Sequence, residues 1–548
     1  RGPGRPIGSK NQQYQRNEER MQSLRDVPGR SIVGICVACH EPSTYDEAIN
    51  SIESVKWQEA MDREYRQLMK HRTWQIVEKP KDVPIVSVKW IYTIKDDGRY
   101  KARLVARGFE QKSNSLDIYS PVVQMDVIRL FFSLVASWNM DLVQFDCSNA
   151  FLNGDINETV YVNQPPGFDD GTGRVCLLTK GLYGLRQSPR SWNRKFDEAI
   201  VLLGFQSSIL DPCLYFIRNE NEFTLLCVYV DDAILASTVP GKVENLFDKI
   251  GQIFEIRKVN SQKYLGIEFT RDRSSRTICL HQRDYLEGKL KMFNMGESRK
   301  VDTPFATGTN AYEESPANDD YPFRQAIGAL LYLSCKTRPD IAFCVSLLAR
   351  FADRTTSIHI SMLKRLWRYL NGSKDYGIVL GGRDPKCVAY ADADLAGDKD
   401  NGRSTTGHII FYGIGPIVWK TKLQKCVIDN TAEAEFISVS VCSKDIRYIL
   451  NLLNNLKIPV NVPIIHCDNQ AAVNQLFSEN ISLRLRHINV KYLMVRDLIA
   501  RGQISIKWIA TDHQMADVLT KPLSRKNHQS FIEFLRMTNI PVRETGEC

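Results

Sequence analysis

No stretch of this 548-residue sequence approaches the roughly 20 consecutive apolar residues that a membrane helix needs. The reading therefore has no place for a membrane partner. The first residues carry no charged-then-apolar secretory pattern. The sequence begins with Arg1 and not Met, as expected of a piece cut from something longer. No internal repeat is evident. The 14 Cys form no framework; they are scattered, mostly inside apolar segments such as Leu226-Cys227-Val228. Buried free thiols in a reducing compartment account for them better than disulfides.

What is present is ordinary for folded protein: 43% hydrophobic and 25% charged residues. At about 100–200 residues per domain, three or four globular units are expected. The net charge of +9 suits a polyanionic partner but is weak evidence alone. Residues 1–30 are rich in Arg, Gln, Gly and Pro and read as disordered or a linker. Within them Gly4-Arg5-Pro6-Ile7-Gly8-Ser9-Lys10 looks like a minor-groove AT-hook, against the plainer reading of linker. Cys36-Val37-Ala38-Cys39-His40 matches the haem-attachment pattern, but no export signal accompanies it.

Helical spacing of Ala48, Ile52, Val55, Trp57, Ala60, Met61 and Leu68 predicts a helix over 45–69. Residues 86–94 and 99–105 read as strands around the Asp96-Asp97-Gly98 turn. Helices are predicted over 128–138, 192–203, 323–333, 341–351 and 360–370, with a polar surface segment or linker over 298–322. Beyond Cys387 strands dominate. The order is α+β first and α/β last.

The sharpest signal is Asp231-Asp232 inside the apolar hairpin 225–237. Burying an uncompensated ion is expensive, so acids there need a partner, and a divalent metal is the obvious one. Asp146 ends a second apolar strand, 142–147. Two metal ions need carboxylates from more than one element, and Asp146 with Asp231 could bridge both, with Asp232 a third acid nearby. One metal would activate a primer hydroxyl and the other would hold a triphosphate. The bland alternative is an Asp-Asp turn with Asp146 as a helix cap.

The company of these acids decides between the two. Tyr229-Val230-Asp231-Asp232 resembles the reverse transcriptase YVDD box. Segments 145–154, Tyr161-Val162, Gln164-Pro165-Pro166-Gly167-Phe168, 181–192 and 100–109 resemble the copia-type reverse transcriptase signature, and Tyr264-Leu265-Gly266-Ile267 is similar to the segment that grips the primer. The resemblance implies a right-hand fold of fingers, palm and thumb. It implies that Lys95, Lys101 and Arg103 lie on a fingers hairpin where cations meet the triphosphate. It makes Phe151 a steric gate against a 2′-hydroxyl, sets Tyr183 and Gly184 under the nucleotide, and gives Leu265 and Gly266 to the primer. For the cations the rival is a solvated basic hairpin; for Phe151 and Tyr183 it is core packing.

A second acid set follows. Asp392 and Asp394 follow a strand, Glu433 and Glu435 open a helix, Asp468 ends an apolar strand, and Asp517 closes the series. Such acids can converge on two metals and an activated water. The set resembles copia-type RNase H in the order Asp392, Glu435, Asp468, Asp517. Asp392 is preferred to Asp394. Glu435 is preferred to Glu433 because the residues after it fit the family helix. His487 fits the family's basic segment, although Asn489 stands where an acid is common. His513 is either a proton shuttle or a surface histidine. Lys336, Arg338, Lys364, Arg365 and Arg368 resemble the connecting region, and a basic tether there would suit a hybrid duplex.

The resemblance thus implies a multidomain α+β and α/β chain: a basic extension (1–44), fingers and palm (45–250), primer-grip region and start of the thumb (251–300), thumb and connection helices (301–385), an RNase H-like α/β domain (386–525) and a tail (526–548). The implied function is RNA- and DNA-templated DNA synthesis with RNase H activity, using two Mg2+ per site, with Mn2+ as substitute. The implied partners are an RNA template, a DNA primer, an RNA–DNA hybrid and deoxynucleoside triphosphates, with room for a homodimer or an integrase or Gag association. The implied location is a cytoplasmic virus-like particle, with the nucleus as a second place. No aspartic-protease Asp-Ser/Thr-Gly segment stands at a plausible position, and no integrase-type His/Cys array is visible. The alternative is a decayed or domesticated element that binds nucleic acid without chemistry.

Overall fold

The computed structural model describes residues 41–95, 97–111, 119–318, 320–477, 489–537 and Ile540. The segment 4–10, the motif 36–40 and His487 lie outside the described residues. The chain divides into two compact units, Arg1–Glu64 with Lys89–Leu104, and Tyr65–Val88 with Val105–Cys548.

The first unit contains most of helix α1 (Ser54–Lys70) and of the hairpin β1 (Val88–Ile94) and β2 (Tyr100–Ala106). The single helix expected over 45–69 is interrupted: Tyr45–Ile49 forms a separate turn of helix capped by Thr44. The buried Trp57 ring packs edge-on against Tyr92 and Tyr100, and the Tyr92 hydroxyl meets Met61 Sδ. These aromatics give the small unit its core.

The second unit contains helix α2 (Met125–Ser137), buried along nearly its whole length, and strand β3 (Asp141–Cys147). Helix α3 (Ser188–Leu202) starts with Pro189 in its first turn, where a missing N–H costs nothing. Strands β4 (Gln206–Ser207), β5 (Leu214–Arg218), β6 (Phe223–Tyr229), β7 (Asp232–Ser237) and β8 (Ile256–Val259) join β3 in an antiparallel sheet of order β8-β3-β7-β6-β5-β4. Its central strands are buried on both faces, which is why 225–237 reads as a continuous apolar run interrupted only by acids.

A second antiparallel sheet follows, β9 (Lys263–Tyr264), β10 (Ile267–Asp272), β11 (Thr277–His281) and, a hundred residues later in the chain, β12 (Ile378–Gly381). Between β11 and β12 run helices α4 (Arg283–Met292), α5 (Phe323–Lys336), α6 (Ala342–Ala349) and α7 (Ser357–Gly372), which share their own apolar core. The polar segment before α5 contributes Phe305 and Ala311 to it.

The last sheet has order β15-β14-β13-β16-β17, from β13 (Cys387–Asp398), β14 (Arg403–Tyr412), β15 (Gly415–Val427), β16 (Ile464–Cys467) and β17 (Ser505–Trp508). The first three are antiparallel; β16 and β17 run parallel to β13. Helix α8 (Thr431–Asn455), capped by Asn430, lies on it, with α9 (Gln470–Phe477) and α10 (Asn489–Ala500). The mixed α+β and α/β architecture expected from the element order is observed. One expectation is corrected: residues 526–548 do not begin as a tail. Helix α11 (Arg525–Phe534), capped by Ser524, buries Phe531 and Ile532 in the core that β13, β14 and α8 share with α2. Its apolar spacing is too short to have been read.

Candidate active sites

The first acid set is assembled by sheet register. Asp232 begins β7, directly opposite Asp146 on β3 and opposite Tyr229 on β6. Asp231 occupies the tight turn between β6 and β7. Val230 before it takes a left-handed φ of 58°, uncommon for a β-branched residue. The strain is held from both sides: the Trp192 indole donates to the Val230 carbonyl at 2.6 Å, and the Cys147 amide donates to the Asp231 carbonyl at 2.8 Å. Asp231 and Asp146 lie close enough to perturb Asp232. Burial, then the charges of Asp231 and Asp146, push Asp232 up to about 6. The buried Cys147 thiol beside them is raised by burial and by the same three charges.

Phe151 follows on the short helix Ala150–Asn153, and its ring meets that of Tyr183 edge-on at 4.7 Å. Gly184 is required by space and by conformation. Its φ is +87°, and a Cβ there would lie 2.1 Å from the Ala106 carbonyl oxygen. Gly108 is pressed as closely onto the Gly184 carbonyl. The Ala106 amide donates to the Tyr183 carbonyl at 2.7 Å. Phe151, Tyr183 and Gly184 therefore form one packed group.

Leu265 and Gly266 form a left-handed turn between β9 and β10, with φ of 52° and 74°. Sequence reading missed what holds it. The Tyr332 hydroxyl (3.2 Å) and Lys336 Nζ (2.5 Å), both from α5, donate to the Leu265 carbonyl. The ammonium sits 3.9 Å over the Tyr332 ring, and burial lowers Lys336 to about 8. The Tyr332 phenol is itself raised by burial and by Tyr229 of the acid-bearing hairpin. The spacing of Tyr332 and Lys336, four apart on a helix, was the available signal.

In the smaller unit, Lys95 is exposed at the end of β1. Lys101 and Arg103 on β2 face Glu64 of α1, whose carboxyl is raised by burial against the pull of Arg103 and Lys101. Of the cations read as a basic tether, Arg338 is corrected outright. It is buried, paired with Asp340 at 2.7 Å and bonded to Ser373, so it reaches no phosphate. Lys364, Arg365 and Arg368 instead line a groove of about 480 Å³ along α7.

The second acid set converges at one end of the last sheet. Asp392 is buried on β13, Glu435 is buried in the first turns of α8, Asp468 follows β16, and Asp517 is buried on a 3-10 turn after β17. Oxygens of Asp392, Asp468 and Asp517 lie within 4.8 Å of one another, as do ligand atoms of Glu435, Cys467 and Asp468. Burial, then the charges of Asp392 and Asp468, push Glu435 up to about 10. Burial and Asp392 push Asp517 up to about 7. Glu435 Oε2 is buried without a hydrogen-bond donor. The buried Cys467 thiol beside these acids is raised by burial and by Glu435.

Backbone partners fix this geometry. The Ser438 hydroxyl donates to the Asp392 carbonyl at 2.7 Å, the Trp508 indole donates to the Asp468 carbonyl at 2.9 Å, and the Thr520 hydroxyl donates to an Asp392 carboxylate oxygen. Asp394 lies beside a separate cavity of about 110 Å³ with Arg350, Lys399 and Thr405. His513 is exposed on the loop before Asp517.

Residues 71–307 match the family model described as reverse transcriptase (RNA-dependent DNA polymerase). The chain is 35% identical over 516 residues to the retrovirus-related Pol polyprotein of transposon TNT 1-94 of Nicotiana tabacum, covering 91% of this chain and 39% of that one. It is 35% identical over 533 residues to the Pol polyprotein of transposon RE1 of Arabidopsis thaliana, covering 94% and 36%. The chain thus spans under two fifths of the length of these curated relatives. Among solved structures, a foamy viral protease–reverse transcriptase in complex with double-stranded DNA matches with a TM-score of 0.48 and 13% identity, over 92% of this chain and 80% of that one.

Proposed function

Because residues 71–307 belong to the reverse transcriptase family, in a chain related over nine tenths of its length to copia-like transposon Pol polyproteins, we propose that it synthesises DNA on RNA and DNA templates and cleaves the RNA of the resulting hybrid. The observation that carries the proposal is the register that sets Asp232 opposite Asp146 with Asp231 in the adjoining strained turn.

The donor sets fit hard divalent cations. Both consist of carboxylate oxygens, crowded so that some hold protons at neutral pH until a cation replaces them. In the first site Asp146 and Asp231 would hold Mg2+ or Mn2+, with Asp232 adjoining. In the second, Asp392, Glu435, Asp468 and Asp517 would hold it. When bound, the ions supply a deprotonated attacking oxygen and charge neutralisation at the leaving oxygen.

The chain's own residues do the positioning. The β6–β7 turn presents Asp231 and Asp232 rigidly. Phe151, braced by Tyr183, sets an aromatic wall where a ribose would need room for a 2′-hydroxyl. The Leu265–Gly266 turn, tied to α5, offers backbone to a primer strand. The groove beside Lys364, Arg365 and Arg368 supplies sequence-independent attraction for phosphates.

The test is primer extension on a labelled RNA template with magnesium and deoxynucleotides. The wild type is expected to extend the primer and cut the template. Asp231→Asn is expected to abolish synthesis and spare cleavage of a preformed hybrid; Asp392→Asn is expected to do the reverse. Equal loss of both activities in each variant would sink the two-site reading. Tight duplex binding with no extension under Mg2+ or Mn2+ would favour the binding scaffold.

A further inference from the structure

The second acid cluster contains a cation to which the reading above gives no task. Lys521 Nζ lies 3.0 Å from Asp517 Oδ1 and senses Asp392 and Asp468 as well. Its side chain is 40% exposed, so it stands at the mouth of the cluster with solvent on one side.

The root of this side chain is fixed. The Lys521 amide donates to the Asp517 carbonyl at 3.0 Å. The preceding Thr520 is fully buried, with its hydroxyl on Asp392. The Leu519 carbonyl accepts from the Thr421 hydroxyl at 2.9 Å. Gly407 on β14 lets this turn lie flat: a Cβ there would come 2.7 Å from Thr520 Cγ2 and 2.8 Å from Leu519 Cβ. A backbone this constrained delivers the lysine to the acids; only its flexible stem is free to move.

Two kinds of cation then compete for the same carboxylates. An ammonium beside Asp517 relieves repulsion among four crowded acids. Divalent ions bound there would repel it, and an anion placed next to them would attract it. The incoming anion at such a site is a nucleic-acid phosphate.

Building on the nuclease reading, we propose that Lys521 is a further catalytic residue of that site: it neutralises the acid cluster before metal binds, then turns to the scissile phosphate of the hybrid when metal displaces it from Asp517. A lysine suits this exchange better than arginine, because it is a compact point charge on a long flexible stem. The rival is an ordinary i,i+4 surface ion pair, of small effect.

The two roles predict changes of opposite sign, which a structural ion pair does not. The probe is Mn2+ alone, titrated by electron paramagnetic resonance into the full chain carrying Asp231→Asn, so that the polymerase acids contribute less. Lys521→Gln is expected to tighten Mn2+ binding at the nuclease acids by about tenfold, since a competing charge is gone. The same substitution is expected to slow hybrid cleavage by at least about tenfold, since a donor to the developing charge is lost. In the otherwise wild-type chain it should leave DNA synthesis unchanged. Lys521→Arg, which keeps the charge and guards against misfolding, should bind Mn2+ as the parent does and retain part of the cleavage. Unchanged or weaker Mn2+ binding by Lys521→Gln, or cleavage at the parent rate, overturns the proposal. Asp392→Asn is the separate control: if it leaves cleavage intact, the nuclease reading itself fails, whatever Lys521 does.

Discussion

Glu433 and Glu435 stand two residues apart on α8, and residues so spaced do not share a helix face. Glu435 lies close enough to Asp392 and Asp468 for their charges, with burial, to raise its carboxyl. The consequence is a pH dependence. In the metal-free chain burial and neighbouring charge raise Glu435 to about 10 and Asp517 to about 7, whereas an unfolded chain releases these protons near about pH 4. Between those values the folded state binds more protons than the unfolded one, so stability is full at acid pH and falls as pH rises. Divalent metal takes the place of the protons. In EDTA the melting temperature is expected to fall between about pH 5 and 8, and the rise on adding Mg2+ should grow over the same interval. A metal-induced rise independent of pH would show that these acids do not hold the ion. Sequence made the acids visible because charge inside apolar segments is anomalous. It gave no hint of Thr520, Ser438 or Trp508, which act on Asp392 and Asp468 through backbone or hydroxyl contacts set by tertiary packing.

At the scale of elements, turns and caps carried most of the legible information. The β6–β7 hairpin was readable because its strands are apolar throughout and its turn is acidic. Helix α1 was read as continuous with the turn before it because apolar spacing runs through both, while Thr44 capping a separate helix is a local hydrogen bond that spacing does not record. Arg338 was misread for a physical reason. A basic residue in sequence is exposed by default, and its burial here depends on Asp340 in the turn between α5 and α6, on Tyr369 of α7, which bonds Asp340, and on His528 of α11, which bonds Tyr369. The Leu265–Gly266 turn yields a prediction at this scale. Gly266 has φ of +74°, and a Cβ there would lie 2.2 Å from the Tyr332 hydroxyl. Gly266→Ala should cost about 1–3 kcal/mol, read by urea denaturation. It should also raise the KM for primer–template in extension assays while hybrid cleavage by the nuclease site changes less. Equal effects on both activities would mean that the turn serves only stability.

Across the larger unit, no linker separates the sheet that carries Asp146 and Asp232 from the sheet that carries Asp392 at residue 386. Helix α2 lies between them, and one apolar core runs from Phe131 and Phe132 through Ile278 and Leu380 to Ile410 and Val439. Arg129 is the polar centre of that junction. It is buried, pairs with Asp126 at 2.5 Å, donates to the carbonyls of Ile417 and Cys335 at 2.7 and 2.8 Å, and stacks 3.7 Å over the Trp419 ring. Trp419 in turn donates to the Ser334 carbonyl at 2.7 Å. Three segments distant in sequence thus meet at one guanidinium, which sequence could not reveal because no local pattern marks a residue whose partners lie some 200 to 290 positions away. Removing it takes the donor from a half-buried Asp126 and from the carbonyls of Ile417, Cys335 and Lys336. Arg129→Met is therefore expected to lower stability by about 3–5 kcal/mol in denaturant melts. Synthesis and cleavage should both decline at elevated temperature, in contrast to the separable losses expected for Asp231→Asn and Asp392→Asn. If Arg129→Met melts in two well-spaced transitions, with one activity surviving the first, the shared core does not couple the two sheets and each folds on its own.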